Sequence, residues 1–172
     1  RNTDGSAWEC CAREFLRRAI AALDAASGLH LIAAFEQEFV YTGVEERPGH
    51  AYSLVAWRRQ GEFGESVVAA LRAAGLKPDS FLPEYGPRQY ELTIGPQPAL
   101  KAADQAVIAR EIARATALRL GHRVSFSPMP VADGTGNGVH IHFSLYDALG
   151  APVTYDPDGP LGLSKAAAQF CA

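Results

Sequence analysis

The chain is short of the features that mark several protein classes. It has three cysteines, Cys10, Cys11 and Cys171, an odd count with no C-x-x-C pair. That is poor ground for a disulfide framework or a thiolate zinc site, and it points to a reducing cytoplasm. No apolar run reaches the roughly 20 residues that a membrane-spanning helix needs. Arg1 to Trp8 lacks the apolar core of a secretory signal. Positive charge is not in excess, with 16 Lys and Arg against 19 Asp and Glu and a pI near 5.9, which argues against a nucleic-acid grip. Arg17-Arg18 and Arg58-Arg59 are isolated pairs and read as solvated faces. The chain does not start with Met, and Cys171-Ala172 falls inside a helical pattern, so it is expected to be a piece of a longer protein.

What is present is an ordinary globular composition. The 172 residues are 48% hydrophobic and 20% charged, enough for one domain with a real core. Helical spacing predicts a helix over Cys11 to Ala26, stopped by Ser27-Gly28. Glu65 to Ala74 is predicted as a second helix, and Ala99 to Leu120 as a long one with an apolar stripe through Ala103, Val107, Ala115 and Leu118. Leu29 to Tyr41, Arg88 to Ile94, His122 to Phe126 and Val139 to Tyr146 read as strands, the second ended by Gly95-Pro96. Thr42 to Gly49 is turn-rich, Tyr52 to Trp57 is an apolar run of either type, and the prolines of Leu76 to Pro83 predict a bend. A further helix begins at Leu161. Mixed helices and strands with several long connections fit α+β better than a doubly wound parallel sheet.

Three segments carry the residue types of a reactive site. In Phe35-Glu36-Gln37-Glu38-Phe39, residues two apart on a strand share a face. Glu36 and Glu38 therefore stand together on an apolar strand, where two like charges repel unless a cation lies between them. An E-x-E pair facing water satisfies the same spacing. In Glu84-Tyr-Gly-Pro-Arg-Gln-Tyr-Glu91 the two glutamates are seven apart, so both reach one site only if Gly86-Pro87 breaks the strand. Beyond that break, Gln89, Glu91 and Thr93 share a face. In Gly134-Thr-Gly-Asn-Gly-Val-His140-Ile-His142-Phe-Ser144, His140, His142 and Ser144 alternate on one face and Ile141, Phe143 and Leu145 fill the other. The glycines let backbone N–H groups approach an anion. Carboxylates with an imidazole suit Mg²⁺ or Mn²⁺ rather than structural zinc. Two such ions beside that loop are an arrangement for phosphoryl transfer.

In this order, E-x-E-F, E-Y-G-P-R-Q-Y-E and G-x-G-x-G-V-H-I-H-F-S-L resemble the signature of the glutamine synthetases and of related ligases that make γ-glutamyl-polyamines and other γ-glutamyl amines. The resemblance runs from about Arg13 to the last residue and includes Ala103-Asp104 and Phe126-Ser-Pro-Met-Pro130. It implies part of a catalytic domain, residues 1–172, with a curved, mostly antiparallel sheet backed by helices. The N-terminal β-grasp domain and the C-terminal half of the family, with its arginines and flap glutamate, are missing from it.

The resemblance places one metal site at Glu38, Glu84 and Glu91 and the other at Glu36 and His140. It matches His142 and Ser144 to nucleotide contacts and Gly136 to a contact with the substrate glutamate, next to Glu84. The implied reaction uses ATP to activate glutamate's γ-carboxylate as γ-glutamyl phosphate, which ammonia then displaces. An amine acceptor and a catalytically inactive regulatory homologue are the alternatives. Met129 replaces a common lysine, Thr135 an asparagine frequent in the glutamate loop, and Gln37 a frequent proline. The resemblance also implies a homo-oligomer, and the fragment is expected to be inactive alone. Glu38→Ala is expected to weaken metal binding more than Glu45→Ala, since Glu45 lies in a turn with no partner motif.

Overall fold

A computed structural model describes residues 1–44 and 50–172. Glu45, with the rest of the turn-rich stretch to Gly49, lies outside the described residues. Two compact units emerge. Residues 34–96 and 103–141 make the first, here the carboxylate unit. Residues 1–33, 97–102 and 142–172 make the second, the terminal unit.

The elements in chain order are α1 (Ala12–Ser27), β1 (His30–Tyr41), α2 (Leu54–Arg59), α3 (Phe63–Ala73), β2 (Pro78–Pro83), β3 (Gln89–Pro98), α4 (Ala99–Arg119), β4 (Val124–Ser125), β5 (Val139–Tyr146) and α5 (Lys165–Cys171). The sheet runs in the order β2-β3-β1-β4, and β5 also pairs with β1. β2 with β3 and β1 with β4 are antiparallel, so the class is α+β as the sequence implied. β4 takes the last two residues of β1, Val40 opposite Ser125 and Tyr41 opposite Val124. β5 meets β1 earlier, where the Glu38 N–H donates to the Gly138 carbonyl at 3.1 Å.

The core of the carboxylate unit follows from the alternation of β1. Gln37, Phe39 and Tyr41 point inward and are buried. Tyr41 stacks on Phe63 of α3 with ring centroids 4.0 Å apart, and Phe39 meets the same ring edge-on. α3 buries Phe63, Gly64, Val67 and Leu71, one face at four-residue spacing. Across the sheet, Tyr90 stacks on Phe81 at 5.5 Å. β3 is buried on both faces from Gln89 to Ile94. Gln37, the one polar side chain of the inward set on β1, donates to the Ala106 carbonyl at 2.8 Å, which satisfies the buried amide.

Several expectations need correction. The buried face of α4 is Ala102, Ala106, Ala109, Ala113 and Ala117, not the stripe through Val107 and Leu118, which are 64% and 73% exposed. Volume is the reason. The core already holds several aromatic rings, so the centre of the helix face that meets it is alanine, with Ile112 at its edge. Leu76 to Pro83 does not simply bend. Pro78 and Pro83 sit at the two ends of β2, with an irregular register between Pro78 and Ser80. Gly95-Pro96 does not end β3, because the Gly95 N–H still donates to the Lys77 carbonyl and the chain stays extended to Pro98.

The strand expected over His122 to Phe126 shrinks to Val124–Ser125, because the Asn137 side chain takes the Ser125 and Ser127 carbonyls. The helix expected from Leu161 starts at Lys165, after a 3-10 turn over Pro160–Gly162 and under a cap by the Ser164 hydroxyl. The ambiguous run after Tyr52 is helical from Leu54, capped by Ser53.

The terminal unit is more sparsely packed. α1 ends on Gly28 in the left-handed region (φ 67), but it buries none of its residues, and Phe15 is 68% exposed. On β5, Leu145 is buried, while Ile141 and Phe143 do not fill a core face as expected. Phe143 meets Phe170 of α5 edge-on and still remains 48% exposed, because a seven-residue helix covers little area. No helix among the described residues is long and apolar enough to cross a membrane.

Candidate functional site

The outward face of β1 carries Glu36 and Glu38, and the start of β5 brings His140 to them. His140 Nδ1 lies 3.1 Å from Glu36 Oε2 and 3.9 Å from Glu38 Oε1. Glu91, on β3 beside β1, completes a group with Glu36 and His140 whose ligand atoms all lie within 4.8 Å of one another. Glu84 follows β2 at the start of the hairpin turn; the charge of Glu38 acts on it, and its own charge acts on Glu91. The Gly86 N–H and the Gln89 N–H bonds reverse the chain between the two glutamates, the break that their odd spacing demanded. Glu36, Glu91 and His140 form one group with Glu38 at its edge, and Glu84, in the same carboxylate unit, lies within electrostatic reach of Glu91. The grouping differs in one respect from the division implied by sequence: Glu91 stands with Glu36 and His140.

Two residues that the sequence did not single out as connectors tie the site together. Gln89 Nε2 donates to Glu38 Oε2 (2.8 Å), to the Gly136 carbonyl (2.8 Å) and to Asn137 Oδ1 (3.0 Å). Asn137 in turn donates to the carbonyls of Ser125 and Ser127. A strand, a loop and a carboxylate are fixed by one buried amide pair. The available signal was a glutamine sharing a strand face with Glu91 and Thr93, and an asparagine in a glycine loop.

Glu38 is held from a third side by the Gly138 N–H at 3.0 Å. A Cβ at Gly138 would stand 3.1 Å from Glu38 Oε1 and 3.3 Å from His140 Nε2, and one at Gly136 would fall 2.9 Å from the Pro128 carbonyl. Gly136 is required for its close approach to backbone, and a side chain at Gly138 would press on Glu38 and His140 themselves. With Oε2 of Glu38 engaged twice, its Oε1 is turned toward His140.

The electrostatics suit a cation. Burial pushes the Glu91 carboxyl above the ordinary value of 4.5, and the charges of Glu36, Glu84 and Glu38 raise it further. Burial likewise raises Glu84, with Glu38 adding to the effect and the Tyr85 N–H opposing it. A group of carboxylates that suppresses its own ionisation is stabilised by a divalent ion, and oxygen donors with one imidazole suit Mg²⁺ or Mn²⁺. His142 and Ser144 lie on β5 in the terminal unit.

Beside Glu84 stand two tyrosines, Tyr52 and Tyr85, with rings 5.4 Å apart and edge to face. The Tyr52 hydroxyl is 3.5 Å from Glu84 Oε2. An aromatic pair next to a carboxylate is a surface that favours a cation.

Comparison with known proteins gives a consistent answer. The family model described as glutamine synthetase, catalytic domain, matches residues 9–172. A gamma-glutamylpolyamine synthetase of Streptomyces coelicolor is 33% identical over 151 residues, covering 83% of this chain and 32% of that protein. A glutamate–isopropylamine ligase of a Pseudomonas species is 34% identical over 127 residues, covering 74% of this chain and 28% of its own length. A crystal structure titled as a novel glutamine synthase homolog superposes with a TM-score of 0.88 at 46% identity, over 95% of this chain and 38% of that one. The chain thus spans about a third of the length of the relatives it matches.

Proposed function

This chain belongs to the glutamine synthetase catalytic-domain family, and on that premise we propose that the protein containing it is an ATP-dependent carbon–nitrogen ligase. In this reading it joins glutamate's γ-carboxylate to ammonia or a small amine. The observation that carries the reading is the gathering of Glu36, Glu38, Glu91 and His140 beside the Gly136–Gly138 loop, with Glu84 in electrostatic reach.

Glu38, Glu84 and Glu91 are assigned to one divalent ion and Glu36 and His140 to a second, with Glu91 close enough to Glu36 and His140 to be shared. When bound, Mg²⁺ or Mn²⁺ would offset the phosphate charge and let one anion approach another. The chain's own residues do the positioning. Gln89 and the Gly138 N–H fix the Glu38 carboxylate. Gly136 is assigned to the substrate glutamate, and His142 and Ser144 to ATP. Glu84, with Tyr52 and Tyr85, supplies a negatively charged, aromatic entry that favours a cationic ammonium or amine.

In the proposed sequence, an oxygen of the γ-carboxylate attacks the terminal phosphorus of ATP, and ADP leaves. The amine nitrogen then attacks the γ-carbonyl carbon of the resulting γ-glutamyl phosphate, loses a proton and expels phosphate. A homo-oligomer in the cytoplasm is part of the same reading.

An acceptor larger than ammonia is favoured by two observations. Two of the similar proteins are named as ligases of polyamines and isopropylamine. Thr135 also stands where glutamine synthetases often carry asparagine. The test is ADP release by the full-length protein with glutamate, Mg²⁺ and ATP, comparing ammonium, putrescine and isopropylamine. Release that needs both glutamate and an amine is the expected result, and the fastest amine names the acceptor. No release with any of the three, from protein that still binds ATP, would leave an inactive homologue.

A further inference from the structure

Gln89 is buried, at 2% exposure, and its side-chain amide meets four groups. Its Oε1 accepts from the Gly86 N–H at 2.8 Å, which fixes the end of the amide that carries the nitrogen. Its Nε2 then faces three acceptors: Glu38 Oε2 at 2.8 Å, the Gly136 carbonyl at 2.8 Å and Asn137 Oδ1 at 3.0 Å. Asn137 Nδ2 is committed to the Ser125 and Ser127 carbonyls, so Oδ1 is the atom turned to Gln89. An amide nitrogen carries two protons. Three acceptors therefore share two donors.

The three acceptors are unequal. Glu38 bears a charge, and a charge-assisted hydrogen bond is roughly twice as strong as a neutral one. With no cation at Glu38, its carboxylate holds one proton firmly, and the two loop acceptors divide the other. Beyond these contacts the loop is lightly held, and residues 131–135 are exposed.

We propose that Gln89 is a positioning residue that couples ion occupancy at Glu38 to the order of the Gly136–Asn137 loop. When the loop opens, Glu38 gains a larger share of the protons that the loop gives up, and that gain offsets part of the cost of opening. A divalent ion on Glu38 already meets its charge, so the gain shrinks and opening becomes costlier. The coupling rests on the cation reading above. One consequence rests on the ligase reading as well: the loop assigned to glutamate becomes ordered once the ion is in place, so the ion precedes that substrate.

Hydrogen exchange of the full-length protein, followed by mass spectrometry in peptides covering Pro128 to Asn137, tests this without turnover. Saturating Mn²⁺ is expected to slow exchange there by about fivefold in the wild type, the low end of coupling between two sites. Gln89→Met keeps the length of the side chain and removes both protons. Its ratio of rates without and with Mn²⁺, at a concentration that saturates the variant, is expected to fall toward one. A purely structural role would speed exchange in both conditions and leave the ratio at its wild-type value. Asn137→Ala leaves two acceptors for two protons, so its ratio is also expected to fall, and it decides the matter if Gln89→Met folds poorly. A wild-type ratio of one with Mn²⁺ bound, or a wild-type ratio kept in either variant, would overturn the proposal. Absence of Mn²⁺ binding, read from an unchanged melting temperature, would overturn it together with the cation reading.

Discussion

The two units are made from one chain and differ in what holds them. In the carboxylate unit, β3 is buried on both faces, Phe39, Tyr41, Phe63 and Tyr90 pack ring to ring, and a buried amide pair braces the loop. In the terminal unit, α1 buries none of its residues, and of the β5 residues there Leu145 alone is buried. The contrast teaches that precision is placed where like charges must be held together. Four glutamates within one small region repel, and only a rigid surround keeps them in place.

The largest test of that contrast is packing. Phe39→Ala is expected to cost about 3–5 kcal/mol, because it empties the centre of the aromatic cluster. Phe15→Ala on the exposed surface of α1 is expected to stay within about 0.5 kcal/mol. Urea unfolding of the two variants measures both, and equal losses would erase the distinction between the units.

Next in size is the ion. Mn²⁺ at 100 times its dissociation constant should add about 2.7 kcal/mol of stability if it binds only the folded state. A rise in melting temperature reads this, and it should be much reduced in Glu38→Ala and unchanged in Glu65→Ala, an exposed acid on α3. Glu65 serves as the control because Glu45 lies outside the described residues. Gln89→Ala is expected to cost about 1–3 kcal/mol by leaving buried partners unpaired, and to weaken Mn²⁺ as well, since Glu38 loses its brace. A variant that loses stability but keeps Mn²⁺ affinity would separate the brace from the site.

The amide pair also marks where sequence reasoning reached its limit. Strand alternation was sufficient to put Glu36 and Glu38 on one face and Gln37 and Phe39 on the other, because period two is a rigid property of extended chain. The odd spacing of Glu84 and Glu91 correctly demanded a turn at Gly86-Pro87. Gln89 and Asn137 were not legible, since their roles depend on partners 47 residues or more away, which no local pattern encodes. The face of α4 was misread because hydrophobicity was weighed without volume. The large residues Val107 and Leu118 outscore alanine, yet Ala109, Ala113 and Ala117 are the α4 residues buried in the cluster with the rings.

The smallest expected effect is on pH dependence. Glu91 and Glu84 have raised proton affinity in the folded chain, chiefly from burial. The folded state therefore holds protons that the unfolded state has released. Metal-free stability should fall as pH climbs from the ordinary carboxylate value of 4.5 through the raised values, and the loss is complete above them. Saturating Mn²⁺ should flatten that slope at neutral pH, and Glu91→Gln should reduce it. A slope unchanged by Glu91→Gln would assign it elsewhere.

The most direct measurement of the central claim is an anomalous difference map from crystals grown with Mn²⁺. Peaks ligated by carboxylate oxygens of Glu36, Glu38, Glu84 and Glu91 and by His140 are the predicted result. Peaks elsewhere, or none at a Mn²⁺ concentration that saturates the thermal shift, would contradict the account.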